Sequence, residues 1–544
     1  MYAELENGRL LVYDSYLHRH TLGQIPGRRW LPDRKAWSIP LTADNAETLS
    51  LIGCELPAER RPAAAPAIPQ AYAELEPPPL NVKLYQHQRN GYGLACEAMG
   101  IFSNVPMRSP GYALLMEMGC GKTITAIGIA GRAYMNQKIR RLLIAAPKSI
   151  LGVWDAEFEK FAAFPYSLTI LQGSSGKKCE TLKRLPNYGL QVVVVNYESA
   201  ALTEKALAAW KPDFIICDES TKIKNPTAKM SKTMYRLSKK AAYRLILTGT
   251  PVQNNPLDFF AQYKFLDDRI FGTSYYAFKS EYAVLGTYNE PVGWRNLPEL
   301  VRKAHSIAYR VTKTEALDLP EVMDEIRPVL LEDTALKKYR QFAKDSYIEL
   351  SQGEVTATNV LTRLLRLQQI TGGFVGPDEN SERYEQVSKA KLEALSDIVD
   401  AAVSENHKLV VIARFTVEIE TICKMLEQKS IVYSKVAGDV RDRTEQVEAF
   451  QTNPDCMVFV GQIQTVSMGL TLTAASTMVF YSWSYNYADY SQARARIHRI
   501  GQKNNCLYIH LAVPGTVDET ILTALNQKEN IAKSVVDDWR NLIK

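Results

Sequence analysis

The sequence predicts an α/β protein: two parallel-sheet lobes joined by a helical middle, with a small α+β unit in front. Three observations carry this. Short, nearly continuous apolar runs recur between helical segments, the pattern of strands covered by helices on both faces. The runs fall into two groups, before about residue 250 and after about 405. A glycine turn ending in Lys-Thr, Met116 to Thr123 (MEMGCGKT), lies between an apolar run and a helical pattern.

The elements follow in chain order. Leu10 to Tyr13 reads as a strand, and Trp30 to Leu41 (WLPDRKAWSIPL) as two short strands joined through Pro32-Asp33. Arg28, Arg29, Trp30, Arg34, Lys35 and Trp37 interleave bases with aromatic rings. That composition suits nucleic acid, with cations for phosphate and flat rings for bases, and it equally suits two tryptophans in a small β core. Pro57 to Pro79 is rich in proline and alanine and reads as a linker. The first group of apolar runs contains Tyr112–Leu115, Leu142–Ala146, Val192–Val195, Phe214–Cys217 and Leu245–Leu247. The second contains Leu409–Ala413, Met457–Val460, Thr477–Tyr481 and Leu507–Val513. Between roughly 252 and 400 the chain is helical and more irregular, with an aromatic-rich stretch at Phe259–Tyr282 and an amphipathic one at Thr362–Ile370.

Composition bounds the class. Net charge is +6, from 65 basic and 59 acidic residues, and an ordinary solvated surface accounts for it. None of the eight cysteines forms a C-x-x-C pair, so a zinc ribbon is not expected, and their scatter fits reduced thiols in an intracellular compartment. The N-terminus lacks the basic start and apolar core of a signal peptide, and no run approaches membrane-spanning length. The expectation is an intracellular protein with no membrane partner, cytoplasmic (nucleoid-associated) or nuclear, and monomeric.

Four stretches carry chemistry. In MEMGCGKT, Gly119 and Gly121 allow a sharp turn, and Gly119, Cys120 and Gly121 bring backbone N–H groups toward phosphate oxygens. Lys122 reaches the β/γ-phosphates and Thr123 holds Mg²⁺, which makes ATP and Mg²⁺ the expected ligands. An ordinary turn before a helix has the same composition, and the first glycine of the common pattern is Met116 here. Asp218-Glu219 follow the run FIIC; Asp218 suits Mg²⁺, and Glu219 suits orienting and deprotonating a water. Leu247 to Asn254 (LTGTPVQN) places Thr248 and Thr250 on a turn beside them, as a coupling loop. Gln492 to Gln502 (QARARIHRIGQ), if helical, puts Gln492, Arg496 and Arg499 on one face, where the arginines serve as fingers for transition-state charge. Eight basic residues between Lys222 and Arg244, Lys224 among them, run without an acid and point to nucleic acid or to a solvated helix face.

Together these segments resemble the SWI/SNF-like ATPases of helicase superfamily two, over about residues 80 to 530. LYQHQRNG (Leu84 to Gly91) looks like the adenine-side segment, with Gln88 in the glutamine position. MEMGCGKT looks like the family's DEMGLGKT, which also lacks the first glycine. APKSILGVWDAEFEKF (Ala146 to Phe161) is similar to the segment bordering the DNA path and implicates Lys148. DESTKIKN (Asp218 to Asn225) departs from the family's DEAH-x-IKN at Ser220 and Thr221, and implicates Lys222 and Lys224. RVTKTEALDLP (Arg310 to Pro320), LLRLQQI (Leu364 to Ile370) and GDVRDRTEQVEAFQ (Gly438 to Gln451) match in family order. SMGLTLTAAS (Ser467 to Ser476), with Gly469, resembles the motif near the lobe interface, and SWSYNY (Ser482 to Tyr487) departs from the family form. IPGRRWLPDRKAWSIPL (Ile25 to Leu41) looks like the HARP module of annealing-helicase members.

The resemblance implies two RecA-like lobes with helical protrusions and a DNA-dependent ATPase that translocates on duplex or branched DNA without sequence preference. It also implies remodelling of forks or annealing of strands. The alternatives are a strand-separating DNA or RNA helicase and a non-catalytic DNA-binding scaffold. The expected domains are a HARP-like module at 1–56, a linker at 57–79, lobe 1 at 80–325, a helical connector at 326–385 and lobe 2 at 386–544. Cys120 and Cys217, beside the catalytic residues, are expected to make the site sensitive to thiol alkylation.

Overall fold

The computed structural model describes residues 2–6, 9–13, 22, 28–34, 36–40, 49, 76–316, 319–350, 353–356, 360–376, 384–438, 440, 442–466 and 470–532. The chain divides into two compact units, Met1–Ile68 and Pro69–Ile543.

The first unit is a four-stranded antiparallel sheet in the order Tyr2–Glu6, Arg9–Tyr13, Ala36–Pro40, Arg29–Leu31. Leu10, Val12, Leu22, Ile39 and Leu49 form its core, with Trp37 packed against them. The expected turn at Pro32-Asp33 is a single 3-10 turn, Pro32–Arg34. The expected linker lies outside the described residues except for its end. There Tyr92 donates to the Glu76 carbonyl, and Pro78 and Pro79 pack over Gly128 and Gly131. Residues 76–79 therefore belong to the packed surface of the second unit.

The second unit contains two parallel sheets. The first has seven strands, in the order Ala308–Val311, Gly111–Met116, Tyr243–Leu247, Phe214–Asp218, Arg141–Ala146, Leu190–Asn196, Tyr166–Ile170. The second has six, in the order Val322–Pro328, Cys506–Ala512, Thr477–Phe480, Leu409–Ala413, Val458–Gln462, Tyr433–Val436. Every apolar run singled out from the sequence is an inner strand of one of these sheets. Val192–Val195 and Leu409–Ala413 are buried throughout, as strands sandwiched by helices must be. Among the described residues, no helix is long and apolar enough to cross a membrane.

The expected change of lobe at residue 325 is corrected. It falls inside the strand Val322–Pro328, which pairs along its whole length with Cys506–Ala512. The chain therefore enters the second sheet before residue 322. This strand is exposed at most positions, so it lacks the apolar run that marks the inner strands. The middle region is helical as expected (Phe259–Leu266, Tyr275–Tyr282, Leu297–His305, Asp333–Asp345, Val360–Thr371). It also carries two hairpins that the sequence does not announce, Ala283–Leu285 with Pro291–Trp294 and Tyr347–Leu350 with Gly353–Thr356.

Candidate functional site

The C-terminal ends of the inner strands of the first sheet carry the predicted chemistry. Met116 ends one strand, the turn comes next, and the helix Lys122–Met135 begins at the lysine. Gly119 and Gly121 hold φ of +88° and +84°, a left-handed backbone that a Cβ would strain. A Cβ on Gly121 would also collide with the Gln88 amide. Gln88 and His87 both bond to the Cys120 carbonyl, at 3.2 and 2.9 Å, so the predicted glutamine braces the loop directly. Lys122 folds back on its own loop and donates to the carbonyls of Met116 (3.0 Å) and Glu117 (3.4 Å).

Asp218 closes the neighbouring strand and is buried. Its Oδ2 accepts from the Trp154 indole at 3.0 Å and its Oδ1 from the Glu219 amide at 2.9 Å. Burial, and then the adjacent Glu219 charge, push its carboxyl well above the ordinary carboxylate range. Glu219 stands at φ +48°, a strained value for a non-glycine residue, and its Oε2 is buried without a partner. Two enclosed acids with an orphaned oxygen and a nearby threonine hydroxyl form a hard-oxygen donor set that fits Mg²⁺. Among the described residues, no cluster of three or more His, Cys, Asp or Glu side chains is placed to hold a metal ion.

Ser220, one of the two departures from the family pattern, is absorbed structurally. The Ser220 hydroxyl donates to Gln262 at 2.6 Å, and Gln262 in turn holds the Pro251 and Asp258 carbonyls. Thr248 is fully buried and accepts from the Thr250 amide at 3.2 Å. Gly249 packs against the backbone of Met116, Glu117 and Met118, so the LTGT turn rests directly on the phosphate loop.

From the second lobe come Gln492, Arg496 and Arg499. The expected helix across them is corrected. It spans Tyr487–Arg494 and ends there, and the arginines lie on the turns beyond it. Ile497 is buried in the core of the lobe, and the Arg496 carbonyl accepts from Leu472, which pulls the chain off the helical path. Even so, Gln492, Arg496 and Arg499 line one cleft of about 990 Å³ together with Lys122, Thr123 and Glu219. Both arginines donate to the Leu470 carbonyl, at 3.3 and 3.1 Å. Arg496 also reaches the Met118 sulfur at 3.8 Å. Burial, then the neighbouring Arg499 charge, pull the Arg496 guanidinium down to about 10. Gly469 lies outside the described residues.

The predicted nucleic-acid contacts are placed less uniformly. Lys148 and Lys222 are exposed. Lys224 is committed to Gln253 and Asp258. Arg236 pairs with Glu204, Lys239 with Asp268, and Arg244 with three backbone carbonyls. Half of the basic run between Lys222 and Arg244 is thus engaged within the lobe. In the first unit Arg28, Arg29 and Trp30 are exposed, and Trp30 lies against Trp37 with ring centroids 5.3 Å apart. Lys35 lies outside the described residues.

Glu117, Trp154, Arg310 and Lys313 stand inside the family-like segments but carry no isolated signal in the sequence. The expected thiol sensitivity is corrected. Cys120 and Cys217 are fully buried, and burial pushes the Cys120 thiol up to about 11.

A family model described as the SNF2-related domain matches residues 29–372, and one described as the helicase conserved C-terminal domain matches residues 390–501. The chain is 26% identical over 449 residues to the nuclear protein STH1/NPS1 of Saccharomyces cerevisiae, covering 77% of this chain and 33% of that one. It is 27% identical over 491 residues to the DNA annealing helicase and endonuclease ZRANB3 of Mus musculus, covering 86% of this chain and 42% of that one. It thus spans less than half the length of these two relatives. A solved Sulfolobus solfataricus SWI2/SNF2 ATPase core in complex with dsDNA is 24% identical, with a TM-score of 0.41, covering 85% of this chain and 95% of that one.

Proposed function

The chain belongs to the SNF2-related family, and from that premise we propose that it is a DNA-dependent ATPase that couples ATP hydrolysis to translocation along DNA. One observation carries the proposal: Lys122, Thr123 and Glu219 of one lobe face Arg496 and Arg499 of the other across a single cleft. Neither lobe holds a complete phosphoryl-transfer site, so turnover requires both. That is the requirement for a motor whose lobes move against each other.

Position supports a role for each residue. The loop amides and Lys122 bind the β/γ-phosphates, and Gln88 orients the loop from the adenine side. Thr123 and Asp218 would hold Mg²⁺, which supplies charge neutralisation between the phosphates when bound. Glu219 orients the attacking water and takes its proton. Arg496 and Arg499 leave the Leu470 carbonyl to meet charge on the γ-phosphate. Thr248, Thr250, Gly469 and Gln492 pass the state of the site to the DNA path. Lys148 and Lys222 contact DNA phosphates, so affinity is salt-sensitive and sequence-tolerant.

The first unit narrows the substrate. Arg28, Arg29 and the exposed Trp30 form a HARP-like surface for branched DNA, and the likeness to an annealing helicase favours fork remodelling or annealing over strand separation. We place the protein inside the cell, on DNA, as a monomer.

The test is ATPase activity titrated in parallel with duplex, single-stranded and forked DNA and with RNA. Duplex or forked DNA should stimulate most, and Lys122→Ala should abolish turnover. Stimulation by single strands alone, with measurable duplex separation, favours a strand-separating helicase. Absence of turnover in the wild-type protein favours a scaffold. Trp30→Ala with Arg29→Ala should spare stimulation by duplex and weaken preference for forks; unchanged fork preference removes the HARP-like role.

A further inference from the structure

Between the phosphate loop and the arginine segment lies a contact that the proposed roles do not use. The strand Ala308–Val311 is the edge of the first sheet and runs beside Gly111–Met116. Its register brings Val311 level with Met116, and the Glu117 amide donates to the Val311 carbonyl at 3.0 Å. The Glu117 carboxylate holds both the end of that strand and the residues just past it. Its Oε1 accepts from the buried Arg310 guanidinium at 3.1 Å, and its Oε2 accepts from the Lys313 amide at 2.9 Å. Arg310 also donates to the carbonyls of Leu115 (3.1 Å) and Gly249 (2.9 Å), which ties the LTGT turn to the same knot.

The Lys313 side chain leaves this knot and crosses to the second lobe. Its ammonium donates to the His498 carbonyl at 2.9 Å. His498 sits between Arg496 and Arg499, and its ring is held in turn by the Pro320 carbonyl at 3.0 Å. A continuous path therefore runs from the phosphate loop through Glu117 and Lys313 to the backbone between the two arginines. Here a side chain of the first lobe grips the backbone of the arginine segment, and backbone position decides where both guanidinium groups point. A second, smaller cavity of about 320 Å³ opens at this junction, and Lys313, Arg310, His498 and Thr250 line it.

We propose that Lys313 is a positioning residue for hydrolysis: it fixes the register of the Arg496–Arg499 segment against the phosphate loop through the His498 carbonyl. This rests on the ATPase reading. The charges around the contact add a consequence. Lys313 faces Glu117, Cys120 and Lys122 from the loop, Arg496 and His498 from the arginine segment, and Cys506 from the second sheet. Loss of hydration dominates, and with the Arg496 and Lys122 charges it outweighs Glu117, so the ammonium is pulled from 10.5 to about 8. With the lobes apart the lysine is hydrated and keeps its ordinary value. Below about pH 8 both arrangements carry the proton and the cost of joining is constant. Between about 8 and 10.5 the joined form carries fewer protons, so joining is favoured as pH rises. The neutral amine still has an N–H to donate to His498.

Two measurements test this. In DNA-stimulated ATPase assays Lys313→Met should lower kcat about 10- to 30-fold while KM for ATP stays within about threefold. Combined with Arg499→Ala it should cost at most about threefold beyond Arg499→Ala alone, because both act through one segment. A kcat within about twofold of wild type, or losses that multiply, overturns the proposal. Separately, dyes on unnatural residues at the exposed positions Tyr188 and Val432 report the inter-lobe distance without nucleotide. The joined population should grow between about pH 7.5 and 9.5 in wild type and stay level in Lys313→Met. A wild-type distance indifferent to pH over that range overturns the proposal even if Lys313→Met fails to fold. Failure of the ATPase reading shows differently, as wild-type turnover no higher than that of Lys122→Ala.

Discussion

Trp154→Phe separates a role in the site from a role in the core. The indole is buried in the core, lies against Phe158 with ring centroids 6.3 Å apart, and donates to the Asp218 carboxylate through the 3.0 Å hydrogen bond. Phenylalanine keeps an aromatic ring in the core and removes the donor. The packing loss should cost ~1–2 kcal/mol, well below the ~3–5 kcal/mol of a full truncation to alanine. A hydrogen bond to a charged acceptor contributes ~1.5–3 kcal/mol, and each ~1.4 kcal/mol is tenfold in rate. Asp218 keeps its bond from the Glu219 amide, so the loss should lie near the lower end, about tenfold in turnover. The sign of the pH effect is fixed as well. The Trp154 donor opposes the upward push of burial and Glu219, so its removal favours the protonated acid. The acid limb of the pH–rate profile should therefore move to higher pH, and the Mg²⁺ needed for half-maximal rate should rise. The assay is ATPase activity across pH and Mg²⁺ concentration, with thermal denaturation alongside. A variant that loses stability yet keeps wild-type turnover, Mg²⁺ dependence and pH profile would refute the argument and leave Trp154 a core residue only.

Three further outcomes are expected. Arg499→Ala should retain nucleotide binding in an equilibrium titration and lose ~10³-fold in DNA-stimulated turnover, the lower bound for a finger; unchanged turnover removes it from that role. Gly121→Ala should lose nucleotide binding while the lobes stay folded by circular dichroism, because the strained φ and the Gln88 contact both fall on the loop; normal binding would show that the loop tolerates a Cβ. In the second lobe Lys391 and Asp518 form a buried pair at 2.7 Å, and Asp518 also accepts from Thr371 at 2.9 Å. Lys391→Met and Asp518→Asn should each cost ~3–5 kcal/mol in urea denaturation, with the double variant well short of the sum; additive losses would mean the pair is uncoupled.

How much the sequence tells depends on where each element sits. Its apolar runs mark every inner strand and miss the four strands at the sheet edges: Tyr166–Ile170, Ala308–Val311, Val322–Pro328 and Tyr433–Val436. An inner strand is enclosed on both faces and must be apolar throughout. An edge strand is partly exposed and can be composed like a loop, as Val322–Pro328 is. That is why the lobe boundary fell inside that strand. The site divides in the same way. Gly119, Lys122, Asp218 and Glu219 are legible because they lie at a strand end or on the turn from a strand into a helix, where local spacing fixes the geometry.

By itself, then, the sequence determined the two lobes, the phosphate loop, the acid pair and the identity of the two arginines. Only the tertiary structure decided that these arginines sit on turns past the end of their helix. It alone showed that half of a basic run is engaged within its own lobe, that Trp154 bonds to Asp218, and that Glu117 and Lys313 link the phosphate loop to the arginine segment. The reason is separation along the chain. Trp154 meets Asp218 across 64 positions and Lys313 meets His498 across 185. Such contacts come from strand order and lobe apposition, which local composition does not encode.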